Sequence, residues 1–364
     1  RVREVVEEEL RGKMGLEMGS KYMRFATAAY GADIIKSAVD VEGTHEDLED
    51  ERKAIAFHAR VKPEDVVLLK VKAGGDMLTL RHYVAVDRVQ KAVVWALRGT
   101  LSISGALIDL QAFEREYCGG RAHQGISEMA DAVWNESGAF VTELMKQEEF
   151  AGYDLVITGH SLGGGTATLL HVKIHVENLL PDHRVLCYGF APPPTFWWDS
   201  DCKNAPTIET AMNNCVGYIH DNDCVPHLSI ASVRRFSTLL DTVDNYNENV
   251  WFFKRAQIFW EWAPIPQDLI ASLVTTHERL QNTKTVDCEL VIPARVVVWL
   301  KKSPSNGKFE ALPCSPHSMA KQNIFICQDM ALDHLPEQYE DAFDAVLEGD
   351  GKKENIASVK SKDV

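Results

Sequence analysis

"VITGHSLGGGTATLL", residues 156–170, begins as an apolar, β-branched run and ends with helical character, and one serine sits among glycines where the two meet. Gly159-His160-Ser161-Leu162-Gly163 fits the pattern G-x-S-x-G, and Gly164 and Gly165 follow it. The pattern carries meaning when a strand precedes it and a helix follows. There the serine occupies a strained backbone that lifts its hydroxyl out of the sheet. Side chains two positions either way would strike the neighbouring strand and helix. The helix that follows aims its N-terminus at the serine, which favours a negative oxygen at that point. A dinucleotide-binding turn would read G-x-G-x-x-G, and that spacing is absent.

A serine alcohol becomes a nucleophile when a base takes its proton and a carboxylate orients the base. In a sheet of this kind the chain order is serine, acid, histidine, each on a loop after a strand. The acid is expected after the strand Val216–His220, where Asp221 and Asp223 both stand. The base is expected near the C-terminal end of the sheet, where His334 lies in "DMALDHLPEQY"; His227, His277 and His317 are less suitably placed. Two backbone donors are needed for an oxyanion. Leu162 supplies one, and Thr100, just past the strand in "VVWALRGTLS", supplies the other.

The rest of the chain is consistent with that placement. Residues 7–39 show a helical pattern, and "DVEGTHEDLEDERK" (40–53) reads as an acidic loop. Val66–Val71, Leu78–Asp87 and Lys91–Leu97 read as strands, and the stretch up to "GGRAHQG" as loop and short helix. Apolar residues Ile126, Met129, Ala130, Val133, Phe140, Val141, Leu144 and Met145 recur at helical spacing. Further strands are expected at Tyr153–Thr158, Val185–Phe190, Val216–His220, Cys288–Ile292, Ala294–Leu300 and 323–327. Strands alternating with long helices imply an α/β fold, a mainly parallel sheet with helices on both faces. The expectation is one domain over residues 1–347, with a polar, disordered tail at 348–364.

Composition bounds the partners. The 364 residues are 45% hydrophobic and 25% charged, and no run approaches the ~18 apolar residues of a membrane span. A net charge of −15 argues against nucleic acid, which needs clustered Lys and Arg. The eight cysteines show no zinc spacing and read as mostly reduced, as in an intracellular protein, cytoplasmic or peripheral to a membrane. His171 and His175 form HxxxH, yet Val172 stands where a zincin needs Glu, and no metal or organic cofactor is indicated. The chain starts at Arg1 without an initiator Met or a signal peptide, as an excised or processed piece would.

"RGTLS", "AHQGIS", "VITGHSLGGGTATLL", "DCVPHLS" and "DHLPEQY" occur in the order and context seen in the class 3 (fungal-type) lipases, and their wording is similar to the branch with the sn-1-specific diacylglycerol lipases. The resemblance covers roughly residues 20–340. It implies an α/β-hydrolase fold with Ser161 as nucleophile, Asp223 as acid, His334 as base, and Thr100 and Leu162 as oxyanion donors. It also favours Asp223 over Asp221, which spacing leaves open. The activity implied is hydrolysis of acyl-glycerol esters, diacylglycerol foremost, at a membrane or lipid-droplet surface. Mono- and triacylglycerols, phospholipids and soluble esters are alternatives, as is a lipid-binding module without turnover.

The 111 residues from Asp223 to His334 exceed the interval in compact lipases of this family and match an insertion in the animal diacylglycerol lipases, here about 235–287. Those animal relatives carry membrane-spanning helices upstream. Within the insertion, "YNENVWFFKRAQIFWEWAPIP" (246–266) interleaves aromatic rings with Lys254 and Arg255, as a segment at a lipid–water boundary would. The family's lid falls at about Leu101–Leu107.

Overall fold

The computed structural model describes residues 13–31, 48–70, 80–99, 113–248, 266–282, 290–320 and 327–360. Helices α1 (Lys13–Ala28) and α2 (Leu48–Ala59) lead into strands β1 (Val66–Lys70), β2 (His82–Asp87) and β3 (Ala92–Leu97). A hairpin of β4 (Glu114–Tyr117) and β5 (Gly120–His123) precedes helix α3 (Gln124–Met145). Then come β6 (Asp154–His160), α4 (Leu162–Val176), β7 (Val185–Phe190), the two-residue β8 (Phe196–Trp197), α5 (Ala205–Asn213) and β9 (Cys215–His220). Helices α6 (Ile230–Glu248) and α7 (Gln267–Asn282), strands β10 (Val296–Lys302) and β11 (Phe309–Cys314), and helix α8 (Pro336–Lys360) follow.

Eight strands form one sheet in the order β1-β2-β3-β6-β7-β9-β10-β11. The central strands β3, β6, β7, β9 and β10 pair in parallel, and the edges pair antiparallel. Both faces are covered, so a central strand such as β3 buries all its residues and its alternation divides two cores. On β3, Val93, Trp95 and Leu97 join the core that holds α3, α4 and α5. Ala92, Val94 and Ala96 join the core on the opposite face with α1, α2 and the start of α8. This is the mainly parallel α/β-hydrolase arrangement expected from the sequence. It brings the ends of β6, β9 and the loops after them to one edge.

Several elements differ from the sequence reading. The stretch 114–123, read as loop and short helix, is a hairpin whose turn residues Cys118 and Gly119 both have positive φ, 51° and 85°. Such a turn matches the twist of the strands, and a two-residue Cys-Gly connection gives little composition signal. Leu48 to Lys53, read as acidic loop, form the start of α2. Strand β11 pairs antiparallel with β10 and was not anticipated, and near 288–292 the described residues show one bridge, Val291 to Phe196. Phe140, placed on the apolar stripe of α3, is 39% exposed; Ser137 and Gly138 face inward instead, Ser137 bonding His82 Nε2 at 2.7 Å and Gly138 lying under Trp134.

The insertion begins and ends as helices. Thr242 Oγ1 on α6 lies 3.5 Å from Thr276 Oγ1 on α7, and Tyr246 donates to Asp268 at 2.9 Å. The aromatic residues from Trp251 to Trp262 lie outside the described residues, as do the lid at 101–107 and the strand candidate at 323–326. Helix α8 continues to Lys360, where the sequence suggested a disordered tail. Among the described residues no helix is long and apolar enough to cross a membrane, and the seven described cysteines are free thiols.

Candidate active site

Ser161 occupies the turn between β6 and α4 with φ 58° and ψ −128°. L-residues rarely adopt that conformation, and it persists only where the surroundings over-determine it. Here the surroundings are backbone on both sides. A Cβ on Gly159 would sit 2.4 Å from the Gly163 carbonyl oxygen, and one on Gly163 would sit 2.4 Å from the Leu97 carbonyl oxygen on β3. The Ser161 N–H donates to the Phe190 carbonyl at 2.8 Å, and its own carbonyl accepts from Gly165 N–H at 3.0 Å. The glycines therefore let the start of α4 press against β3 and β7, and the serine takes the strained corner.

His334 stands on the turn just before α8, two residues ahead of Pro336. Its Nε2 lies 2.8 Å from Ser161 Oγ, and its Nδ1 lies 3.0 and 2.9 Å from the two carboxylate oxygens of Asp223. A carboxylate only accepts, so Nδ1 carries the proton and the Nε2 lone pair faces the serine hydroxyl. Asp223, fully buried, is satisfied from two further directions. Val225 N–H donates to Oδ1 at 2.9 Å, and the Tyr339 hydroxyl donates to Oδ2 at 2.6 Å. A buried carboxylate with all these donors avoids the large cost of an unpaired charge. Burial, then the charge of Asp223, pushes the Tyr339 phenol well above its ordinary range, so it stays a donor.

A second chain of contacts runs behind the serine. A Cβ on Gly99 would sit 2.6 Å from the Tyr30 hydroxyl, which in turn lies 2.8 Å from His160 Nδ1. The His160 ring lies 4.8 Å from the His334 ring at an angle of 38°. Burial, then the neighbouring His334, holds the His160 imidazole far below its usual range. The base therefore rests on a neutral ring rather than a competing cation.

Of the residues singled out in the sequence, Ser161, Asp223 and His334 converge. Leu162 is the first residue of α4, where a backbone N–H has no partner within the helix. Thr100 lies outside the described residues; Gly99 beside it is buried. Asp221 is two positions from Asp223 but turns away, its carboxylate 3.0 Å from Lys301 Nζ. His227 packs on Trp299, while His171 and His175 bond the Ala211 and Val185 carbonyls. No cluster of three metal-ligating side chains occurs among the described residues. The aromatic pair Phe196 and Trp198 stacks at 6.0 Å, with Phe196 fully buried in the core.

Tyr30, His160 and Tyr339 went unassigned in the sequence. Tyr339 lies within the "DHLPEQY" segment, where a buried phenol demands a hydrogen-bond partner. Tyr30 is 130 residues from its partner, and no local pattern announces the pair.

Residues 94–233 match the family described as Lipase (class 3). That segment is similar to the class 3 lipases. Human diacylglycerol lipase-alpha is 28% identical over 184 residues, which are 46% of this chain and 16% of that protein. The secreted mono- and diacylglycerol lipase A of Penicillium cyclopium is 30% identical over 154 residues, 42% of this chain and 47% of its own length. The chain thus spans less than half of either relative. A fungal lipase crystal structure superposes with a TM-score of 0.53 at 18% identity, covering 91% of this chain and 99% of that one, a likeness of fold. The Ser161 turn lies inside the matched segment, as does Asp223; His334 and Tyr339 lie beyond it.

Proposed function

We propose that the protein is a serine hydrolase of acyl-glycerol esters that works through an acyl-enzyme. The observation that carries this reading is His334, hydrogen-bonded to Ser161 Oγ on one side and Asp223 on the other. Ser161 Oγ attacks the ester carbonyl while its proton passes to His334 Nε2. The carbonyl oxygen, now negative, accepts from the N–H groups of Leu162 and Thr100, and the dipole of α4 favours the charge. The tetrahedral intermediate collapses, and His334 gives its proton to the departing glyceride oxygen. Water then attacks the acyl-enzyme, passing a proton to His334, and the second collapse returns the proton to Ser161 Oγ as the fatty acid leaves. Asp223 holds Nδ1–H and stabilises the imidazolium in both halves.

Diacylglycerol, cleaved at the sn-1 position, is the substrate we favour, on the sequence likeness to the diacylglycerol lipases. One α/β-hydrolase unit, residues 1–347, carries the chemistry, and it meets substrate by peripheral contact with a lipid surface. A lipid-binding module without turnover would have no need for a base hydrogen-bonded to its serine. The test is release of fatty acid from dispersed diacylglycerol, monoacylglycerol, triacylglycerol, phospholipid and a soluble p-nitrophenyl ester. Diacylglycerol should be cleaved fastest, with sn-1 chains released first. Hydrolysis of the soluble ester alone would reject the lipid substrate, and no hydrolysis at all would leave the binding module.

A further inference from the structure

The acid and the base sit on separate loops, and more than their own hydrogen bond joins those loops. Asp333, immediately before His334, accepts Asn222 N–H on Oδ2 at 3.1 Å. Its carbonyl accepts His220 Nδ1–H at 2.9 Å, and its other carboxylate oxygen lies 3.7 Å from the same nitrogen. His220 and Asn222 belong to the stretch leading into Asp223, whose N–H closes the turn on the His220 carbonyl at 2.9 Å. His220 is 2% exposed, so this contact is made inside the protein.

The same turn is fixed from its other side by β10. Trp299 Nε1–H donates to the Asp221 carbonyl at 2.8 Å, and Lys301 reaches Asp221 Oδ1 at 3.0 Å and Asn222 Oδ1 at 3.1 Å. Asp221 has φ +26°, a conformation that needs such outside support. Strand β10 thus makes the acid turn rigid, and Asp333 ties the base turn to it.

We propose that Asp333 is a positioning residue that clasps the turn carrying His334 to the turn carrying Asp223. This rests on the reading of Ser161, Asp223 and His334 as the reacting triad. Without the clasp, Asn222 loses its tie to the base turn, and the register of the two turns is left to the Tyr339 hydroxyl, to the His220 bond with the Asp333 carbonyl and to the Nδ1–carboxylate bond that turnover itself loads and unloads. Asp333 touches neither Ser161 nor Asp223, and its effect is exerted through the backbone it holds.

The experiment is steady-state kinetics on a short p-nitrophenyl ester with wild type, Asp333→Ala, Asp333→Asn and Ser161→Ala. A displacement of about 1 Å at a reacting group can cost on the order of 100-fold, so Asp333→Ala should lower kcat by about 10- to 100-fold. KM should change by less than about 3-fold, because substrate binding is untouched. Asp333→Asn should recover most of the rate, since a carboxamide oxygen can still accept Asn222 N–H. Wild-type kcat in Asp333→Ala, or an Asn variant no better than Ala, would overturn the clasp. If Asp333→Ala does not fold, Asp333→Ser, too short to reach Asn222 N–H, takes its place with the same expectations. Turnover by Ser161→Ala would instead reject the triad reading, whatever the Asp333 variants do.

Discussion

Tyr339 donates its hydroxyl to Asp223 Oδ2 at 2.6 Å, five residues after the histidine that bonds the same carboxylate. The start of α8 therefore supplies a phenolic donor to the acid beside His334 and Val225 N–H, and the helix that carries Tyr339 is packed through Phe343 against the sheet. Removing that hydroxyl leaves a buried carboxylate oxygen short of a partner, which costs about 1–3 kcal/mol. Tyr339→Phe should lower the melting temperature by several degrees and depress kcat on a soluble ester. An unchanged melting temperature and rate in a paired thermal scan and ester assay would show the bond to be dispensable.

Asp221 and Asp223 separate by what they face. Asp221 pairs with Lys301 on β10, and Asp223 meets His334. Asp223→Asn should cost on the order of 10⁴-fold in kcat by spoiling the tautomer of His334. Asp221→Asn should cost far less. The reverse ranking in the same ester assay would move the acid to Asp221.

How much of this was legible in the sequence varies with the distance over which each feature is set. The Ser161 turn is local, with strand, glycines and helix contiguous in the chain, so its reading needed nothing else. The choice between Asp221 and Asp223 is not local. It depends on which carboxylate β10 captures through Lys301, and spacing alone left it open. His334 could be placed by its position after the last strand, whereas Tyr30 and His160 meet only because α1 packs beside β6. The β4–β5 hairpin and β11 escaped because strands of four to six residues with mixed exposure give weak alternation. Thr100 lies outside the described residues and stays a sequence-based assignment.

Two leucines on the turn that carries the base are open to solvent: Leu332 is 59% exposed and Leu335 43%. If this edge meets lipid, replacing both with Ser should reduce hydrolysis of dispersed diacylglycerol more than hydrolysis of a soluble ester. Apolar area is worth about 25 cal/mol per Å² once removed from water. The measurement is the ratio of the two rates in wild type and variant; equal loss on both substrates would place the effect on His334 rather than on the interface.

Acid should destabilise the fold through its buried histidines. Burial, then the neighbouring His175, pushes the His171 imidazole down to about 3. Its folded value is depressed, so the unfolded chain takes up a proton near pH 6.5 while the folded one does not until about pH 3. The stability tied to the neutral ring is present above 6.5 and is lost as pH falls through that window, by up to about 1.4 kcal/mol per pH unit. His171→Gln, which can still donate to the Ala211 carbonyl, should flatten the fall of the melting temperature between pH 6.5 and 4. An unchanged slope would remove His171 from the acid response.

The central claim is that Ser161 is a nucleophile activated by His334. Its most direct test is labelling of the folded protein with a fluorophosphonate probe, followed by mapping of the modified peptide. Wild type should carry the probe on Ser161, Ser161→Ala should carry none, and His334→Ala should react orders of magnitude more slowly. A wild-type protein that leaves Ser161 unlabelled, or a Ser161→Ala variant that still labels and hydrolyses ester, would contradict the account.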